Sequence, residues 1–184
     1  SVNWAKKTPL LGVGTNSGQV HIWDVNKQEK VRTFKGHSAR VGALAWGQTS
    51  LVSGSRDKTI LVRDIRSHEH FHEQLSNHKQ EVCGLKWSFD DQLFCSGGND
   101  NKLFIWTPKS RLPVFKSSAH KAAVKALAWS PHCSHRTRWF YNCRAAKLHA
   151  QIDNNRAQFY HIFKIVDKFF VIATDARRLN RIVE

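Results

Sequence analysis

Tryptophan recurs in this sequence at an almost constant interval, and that interval constrains the fold more than any other feature. The recurring residues are Trp4, Trp46, Trp87 and Trp129, separated by 42, 41 and 42 residues. Each closes a short apolar run, as in ARVGALAW, QEVCGLKW and AAVKALAW. A fixed period of 20–50 residues is the mark of a repeat architecture, in which one supersecondary unit is copied along the chain.

Histidine follows the same period and identifies the type of repeat. His37, His78 and His120 are separated by 41 and 42 residues, and Gly36 precedes the first of them. Trp23-Asp24 supplies a Trp-Asp dipeptide at the end of another apolar run. A period of about 40–45 residues with Gly-His and Trp-Asp landmarks is typical of four-stranded propeller blades. The sequence therefore predicts an all-β fold, a WD-repeat β-propeller present in part.

The blade boundaries follow from the predicted strands. These are short runs of β-branched or alternating apolar residues, and breaks rich in Gly, Asn, Asp and Ser separate them. The predicted propeller segment is 1–132, with blades at about 1–36, 37–77 and 78–119 and the start of a fourth at 120–132. About three blades and one strand do not close a propeller ring, which usually needs 4–8 blades. Since both end blades would then expose apolar faces, we expect the isolated chain to associate or to be poorly soluble.

The remainder of the chain, 133–184, departs from the repeat. It contains no glycine, which continuing blades would need for their turns. Its apolar residues recur at helical spacing, so the sequence predicts an amphipathic helix at about 157–174. The apolar residues in question are Phe159, Ile162, Phe163, Val166, Phe169 and Phe170.

Composition narrows the function classes. Lys and Arg number 29 against 14 Asp and Glu, a formal net charge of +15. No run of five or more basic residues occurs, so the charge is typical of a solvated surface, and nucleic-acid binding is a minor alternative. No apolar stretch approaches the roughly 18 residues of a membrane span. The four cysteines form no C-x-x-C pair, and neither a metal site nor a cofactor is expected.

Ser, His and Asp recur together with the period, and this recurrence predicts a structural role for them. His78, Ser96, Asp100 and Trp106 stand where a propeller blade places a buried hydrogen-bond chain. The preceding repeat has His37, Ser53 and Asp57, with Arg63 at the tryptophan position. A catalytic Ser–His–Asp set would occur once rather than in each repeat. These residues therefore indicate buried structural polar groups, and the protein is not expected to be an enzyme.

Several segments closely resemble the fizzy/fizzy-related WD-repeat family. These are GHSARVGALAW, SGSRDKTI, RDIR, QEVCGLKW, SGGNDNKLFIW and AAVKALAWSPH, and SGSRDKTI, RDIR and NDNKLFIW favour the fizzy-related branch. The resemblance covers about residues 1–132 and indicates a partial copy. It implies a non-catalytic substrate receptor and activator of the anaphase-promoting complex, a ubiquitin ligase acting in the cell cycle. Expected partners are subunits of that complex and degron-bearing substrate or inhibitor proteins, in the nucleus and cytoplasm.

The resemblance also implies degron-binding residues. Asn99 and Asn101 match family asparagines on the propeller face that binds a Lys-Glu-Asn degron, and Arg56 lies in the equivalent turn one blade earlier. Either asparagine can instead serve only the turn, because Asn tolerates positive φ. A second family peptide groove lies between the blades matching the first two repeats, where Lys35 and Arg40 are candidates; both are equally well explained as solvated surface residues. The alternative function is a WD-repeat scaffold without ligase activity.

Overall fold

The computed structural model describes residues 1–129, together with the backbone of residues 161–165 and 169–175. Every regular element in this part of the chain is a β-strand. The first eight strands are β1 (Val2–Trp4), β2 (Leu10–Gly14), β3 (Val20–Asp24), β4 (Glu29–Phe34), β5 (Val41–Trp46), β6 (Ser50–Ser55), β7 (Ile60–Asp64) and β8 (Glu73–Leu75). The other seven are β9 (Val82–Trp87), β10 (Phe94–Gly98), β11 (Leu103–Trp106), β12 (Phe115–Ser117), β13 (Val124–Trp129), β14 (His161–Ile165) and β15 (Phe169–Asp175).

Consecutive strands pair antiparallel to form three four-stranded sheets. We call them blade 1 (β1–β4), blade 2 (β5–β8) and blade 3 (β9–β12). They lie within the ranges 1–36, 37–77 and 78–119 that the repeat period indicates. The predicted fold class, an all-β propeller present in part, is confirmed. A single meander per repeat follows from the short breaks, since antiparallel neighbours need only tight connections.

The helix predicted at about 157–174 is wrong for the described residues. β14 and β15 form an antiparallel pair, and β15 also pairs with β13, giving a three-stranded fourth sheet of order β13-β15-β14. Two physical reasons favour strands here. The run FFVIATD is rich in aromatic and β-branched residues, and pairing with β13 satisfies backbone groups that an open edge would leave unpaired. The rest of 133–184 lies outside the described residues.

Glycines allow neighbouring blades to approach closely. A Cβ atom at Gly54 would lie 2.5 Å from Val82 Cγ1, and one at Gly97 would lie 2.5 Å from Val124 Cγ1. Each of these valines is the first residue of the first strand of the next sheet. The glycines in the second strand of a blade are thus required because the following blade occupies the space of their side chains.

The periodic tryptophans connect the blades by hydrogen bonds. In each case the indole N–H donates to a backbone carbonyl one blade earlier. The acceptor is the residue that directly precedes the periodic tryptophan of that earlier blade. The three bonds are Trp46 to Asn3 at 2.9 Å, Trp87 to Ala45 at 3.1 Å and Trp129 to Lys86 at 3.0 Å. The period first seen in the sequence is therefore the period of the contacts between blades.

One ion pair joins blade 1 to blade 3. Lys6 Nζ lies 2.7 Å from Asp91 Oδ1 and 3.5 Å from the carbonyl oxygen of Ser88. Both partners lie close to the ends of strands that are separated by the whole of blade 2. This contact therefore links two blades that are not consecutive in the chain.

Candidate functional site

Blade 3 contains a continuous hydrogen-bond chain. His78 Nδ1 lies 3.1 Å from both carboxylate oxygens of Asp100, and His78 Nε2 lies 2.8 Å from Ser96 Oγ. The indole N–H of Trp106 donates to Ser96 Oγ at 2.8 Å. The structure thus brings the four residues together in the predicted order. Ser96 and Trp106 are fully buried, so the hydroxyl is closed to a substrate from outside.

The carboxylate of Asp100 is held in its charged form. Burial alone would raise its pKa, but hydrogen bonds from His78 and from the Lys79 and Lys102 backbone N–H groups outweigh burial and lower it. These bonds connect the turn after β10 to the loop before β9. The chain of polar groups therefore fixes the loops at one end of the blade, where a ligand-binding surface needs rigid support.

Blade 2 has the same arrangement with a different last member. His37 Nδ1 lies 2.9 Å from Asp57 Oδ2, and His37 Nε2 lies 2.8 Å from Ser53 Oγ. Arg63 then donates to Ser53 in place of an indole. Burial, followed by the nearby Arg63 cation, lowers the pKa of His37. His37 is thus disfavoured as a cation, which matches an imidazole that donates to Asp57 and accepts from Ser53.

Arg63 is an unusual core residue. It is 0% exposed, and its Nε and Nη2 atoms have no hydrogen-bond partner within the part of the chain that the structure describes. Its guanidinium carbon lies 5.6 Å from the centre of the Phe34 ring, so a cation–π contact partly replaces the lost hydration. Burial lowers the pKa of Arg63 to about 9. Blade 2 thus keeps a poorly satisfied guanidinium where blade 3 has an indole.

A cavity of about 470 Å³ opens at the loop ends of the blades, and it contains part of the predicted degron site. Asn99 lines it, and so does Arg40, which was assigned to a different groove. The other lining residues are Ser1, Gly14, Thr15, Asn16, Val41, Gly42, Glu81, Cys83 and Lys125. The lining draws on all three blades and on β13. A ligand here would contact several repeats at once.

Arg40 and Glu81 form a forked ion pair in the cavity wall. Arg40 Nε lies 2.9 Å from Glu81 Oε1, and Arg40 Nη2 lies 2.9 Å from Oε2. Arg40 comes from the loop before β5 and Glu81 from the equivalent loop before β9. The Glu81 side chain is largely covered whereas that of Arg40 is half exposed. The pair therefore presents donors to the cavity and fixes two adjacent blades.

Cys83 orients the Asn99 side chain. Its thiol donates to Asn99 Oδ1 at 3.1 Å, which leaves the amide NH₂ group of Asn99 as the available donor. Burial, followed by the Glu81 carboxylate, raises the pKa of Cys83, so it stays a neutral thiol. The backbone N–H of Asn99 donates to the Glu81 carbonyl at 2.9 Å. Asn99 is thus held at both its backbone and its side chain.

Three other predicted binding residues, Asn101, Arg56 and Lys35, do not line the cavity that contains Asn99. Asn101 has φ of +60°, a left-handed conformation, and it is outside the cavity lining. Arg56 is exposed and also outside the lining. The backbone N–H of Lys35 lies 3.4 Å from His70 Nδ1, away from the cavity that contains Arg40. Lys35 and Arg40 are therefore not brought together at one cavity.

The polar cavity residues that sequence reasoning missed include Asn16, Glu81, Cys83 and Lys125. Asn16 had a usable signal, because it follows β2 as Arg56 follows β6 and Asn99 follows β10. The other three had none, since their convergence depends on how adjacent blades pack. Among residues 1–129, no group of His, Cys, Asp and Glu is arranged to hold a metal ion.

Comparison with known proteins gives one matching family model and several similar proteins. The family model "WD domain, G-beta repeat" matches residues 28–64 and 70–107. "B-type cell cycle switch protein ccs52A" of Medicago truncatula is 58% identical over 132 residues, which are 72% of this chain and 28% of the relative. "Protein FIZZY-RELATED 2" of Arabidopsis thaliana is also 58% identical over 132 residues, covering 27% of its length.

A more distant relative and a solved structure agree with these matches. "APC/C activator protein CDH1" of Saccharomyces cerevisiae is 47% identical over 132 residues, 72% of this chain and 23% of the relative. A chain in "Crystal Structure of Mitotic Checkpoint Complex" superposes with a TM-score of 0.70 at 46% identity, covering 72% of this chain and 40% of that one. The chain thus spans less than a third of the length of these curated relatives.

Proposed function

The WD-repeat part of this chain belongs to the fizzy-related family, and from that membership we propose that the protein is a degron-recognising substrate receptor and activator of the anaphase-promoting complex. In this role it captures short peptide signals on proteins that are destroyed in the cell cycle. Its partners are subunits of that ubiquitin ligase and degron-bearing substrate or inhibitor proteins, and it acts in the nucleus and cytoplasm.

The observation that carries the proposal is the placement of Asn99 in the polar cavity. Its NH₂ group is available as a donor, because the Cys83 thiol occupies Oδ1. Asn16 lies in the same cavity, at the equivalent turn of blade 1. Carboxamides suit an extended peptide, since each offers donors and an acceptor to backbone amides and polar side chains.

The charged groups of the cavity suit a degron of mixed charge such as Lys-Glu-Asn. Lys125 is exposed and offers a cation to a ligand carboxylate, while the Arg40–Glu81 pair supplies both signs in the same cavity. Complementary charge of this kind selects among peptides more than it adds affinity. Arg56 and Asn101 are proposed as contacts at the rim, and Lys35 as a contact in a second groove.

The proposed role is that of an adaptor without a catalytic centre. Each Ser–His–Asp set lies in the interior of a blade, and Ser53 and Ser96 are fully buried. Such groups stabilise the scaffold and offer no nucleophile to a substrate. No helix in the described part of the chain is long and apolar enough to cross a membrane, and neither a membrane nor a nucleic acid is among the proposed partners.

Peptide capture tests the site. A fluorescent Lys-Glu-Asn peptide should bind the chain in an anisotropy titration, and a peptide with these three residues replaced by alanine should not. Asn99→Ala should weaken binding about tenfold or more, since one buried polar contact contributes roughly 1–3 kcal/mol. Asn26→Ala, at an exposed asparagine outside the cavity, is the matched control and should leave binding unchanged.

A second substitution separates ligand contact from turn formation. Asn101→Gly keeps the left-handed backbone of the turn but removes the carboxamide. If Asn101 contacts the degron, this variant should lose affinity while keeping its melting temperature. If the Asn99→Ala variant binds the peptide as tightly as the wild type does, the site assignment is wrong. Peptide capture without stimulation of the purified ligase would instead favour a scaffold that lacks the activator role.

A further inference from the structure

The turn between the second and third strands carries different side chains in blades 2 and 3, although its backbone is held in the same way. In both blades the first residue of this turn donates its N–H to the loop before the first strand, Arg56 at 3.0 Å and Asn99 at 2.9 Å. Two residues later, the left-handed position is filled by Lys58 in blade 2 and by Asn101 in blade 3. Blade 2 thus presents two cations where blade 3 presents two carboxamides.

Two further cations stand beside the carboxamides of blade 3. The backbone N–H of Lys79 donates to Asp100 Oδ2 at 2.8 Å, and that of Lys102 donates to Asp100 Oδ1 at 3.2 Å. Both are therefore held at the turn that contains Asn99. Blades 2 and 3 each have a neighbouring sheet on either side, so the exposure of these loops is their own property. We call four side chains, each at least partly exposed, the cationic rim: Arg56, Lys58, Lys79 and Lys102.

The carboxylates at this end of the blades are covered and engaged in contacts of their own. The side chains of Asp57 and Asp100 are 10% and 5% exposed, and each accepts hydrogen bonds from the histidine of its blade and from backbone N–H groups. Glu81 is paired with Arg40. Within residues 1–129, none of the four rim cations forms an ion pair. The rim therefore offers its positive charge to a ligand.

We propose that the cationic rim binds an acidic segment that directly flanks the degron in the same peptide. The inference rests on the proposed function, because it takes Asn99 as a contact of the degron. The partner chemistry is a series of Asp or Glu carboxylates along an extended chain, which rises about 3.3 Å per residue. The four cations are spread over turns of two adjacent blades, so separated carboxylates fit the rim better than one compact dianion.

The blade 1 turn makes the surface asymmetric. Residues 15–19 form the equivalent turn and contain no charged residue, although Thr15 and Asn16 line the same cavity as Asn99. A peptide bound across the cavity thus has one flank near the cations and the other near neutral groups. We expect acidic residues to raise affinity from one flank only. The net charge of +15 would instead attract acidic residues at either flank.

Anisotropy titrations of the 184-residue chain with three peptides test the proposal. All contain Lys-Glu-Asn; one has Gly-Ser flanks, one has a run of Glu before the motif, and one has the same run after it. We expect one acidic peptide to bind about tenfold more tightly than the neutral-flanked one, since exposed ion pairs are individually weak and several act together. The gain should fall below about twofold at about 500 mM NaCl, because salt screens exposed charges.

Substitution of three rim lysines assigns the gain to this surface. Lys58→Gln, Lys79→Gln and Lys102→Gln together should reduce the gain to about twofold or less, the range of a single exposed ion pair. The neutral-flanked peptide should bind this variant as it binds the wild type, because none of the three lysines lines the cavity. Arg56 stays unchanged in the variant, since it is itself a proposed degron contact. An unchanged melting temperature shows that the fold is intact.

A matched control removes the same number of charges from the opposite end of the blades. Lys7→Gln, Lys27→Gln and Lys109→Gln lie in exposed loops there and should keep the full gain. Equal losses in the two triple variants, or equal gains from both flanks, would mean attraction to net charge and would overturn the proposal.

The remaining outcomes separate this inference from the proposed function. If the neutral-flanked peptide binds and neither acidic peptide binds more tightly, the rim assignment fails and the proposed function stands. If the neutral-flanked peptide does not bind, both fail. Displacement of the acidic peptide by a single-stranded oligonucleotide at lower concentration than by unlabelled acidic peptide would identify a nucleic-acid surface and overturn the proposal.

Discussion

Blades 2 and 3 are built on the same polar chain, yet one ends in a guanidinium and the other in an indole. In blade 3, Trp106 offers Ser96 its single N–H, and no donor is left over. In blade 2, Arg63 offers several donors, and two of its nitrogens stay buried without a hydrogen-bond partner among the described residues. The surroundings differ accordingly. Trp106 packs against Phe94 and Phe104, whose ring centres lie 6.3 Å and 5.4 Å from its own.

This difference shows that one repeat position can be filled by unlike side chains when they share a single donor function. The free-energy cost of burying the two side chains differs. A buried cation must replace its lost hydration, whereas an indole needs only one hydrogen-bond acceptor. We therefore expect blade 2 to be the less stable of the two. The following predictions test that comparison, beginning with the largest effect.

Transferring the arginine to blade 3 should be the most damaging change. Trp106→Arg would replace an aromatic contact network with an unpaired buried charge, and should lower the free energy of unfolding by about 3–5 kcal/mol, the cost typical of deleting a buried tryptophan. Denaturant unfolding measures this loss. Trp106→Phe keeps an aromatic ring without a charge and loses the N–H and part of the ring volume, so it should cost less. Equal losses in the two variants would show that the charge has no role.

Removing the arginine from blade 2 should act in the opposite direction. Arg63→Met has a similar length without the charge, and it eliminates both unpartnered donors. Replacement of a buried ion pair or triad by apolar side chains is often neutral or stabilising by about 1–4 kcal/mol, and for this single buried cation we expect a gain of about 1–2 kcal/mol. The measurement is again denaturant unfolding. A loss of stability would mean that the Ser53 and Phe34 contacts satisfy the guanidinium after all.

The turns of the two blades carry different residues at their left-handed position and should respond differently to glycine. Lys58 in blade 2 has φ of +74°, and Asn101 at the equivalent position in blade 3 has φ of +60°. A left-handed conformation costs a lysine roughly 1 kcal/mol, whereas asparagine tolerates it better. Lys58→Gly should therefore raise stability by up to about 1 kcal/mol in a thermal melt, and Asn101→Gly should change it by less than about 0.5 kcal/mol. Equal responses would contradict the assigned backbone geometry.

The smallest expected effect is a pH dependence that originates in blade 2. Burial and then Arg63 lower the pKa of His37 below the ordinary 6.5, so the unfolded chain takes up a proton first as the pH falls. His37 thus favours folding above that value, and its contribution is lost as the pH drops through about 6.5 towards the lower folded pKa.

Melting temperatures at about pH 7.5 and about pH 5.5 measure this loss. Arg63→Met removes the second cause of the lowered pKa, so the difference between the two melting temperatures should become smaller. His37→Gln, which cannot titrate, is the control for this comparison. An Arg63→Met variant with the same pH dependence as the wild type would show that burial alone sets the pKa of His37.

Much of the fold was predictable because the repeat presents the same sequence pattern several times, and each copy supports the same inference. The tryptophan and histidine series define three blades, and strands β1 to β12 lie within the expected ranges. The tail was predicted wrongly, since FFVIATD satisfies a helical spacing and a strand propensity at once. Periodicity alone does not decide between them, and pairing with β13 supplies the backbone partners that favour the strand.

The candidate site was less predictable than the fold. Asn99 was found because the sequence around it resembles a family motif, and Asn16 was detectable only by aligning the turns of separate blades. Glu81 lies in the loop before β9 and Lys125 lies in β13, and nothing in their local sequence indicates a shared cavity. Their positions beside Asn99 follow from the packing of β9 between β5 and β13.

The sequence by itself determined the period, the strand pattern and the polar chain inside each blade, because these depend on residue type at fixed spacing. Only the tertiary structure decided which blade surfaces meet, which amides face a common cavity and how Arg63 is accommodated. Those outcomes depend on the distances between separate sheets. In this chain the distances are set by glycines that leave room for the next blade and by indoles that donate across the boundary.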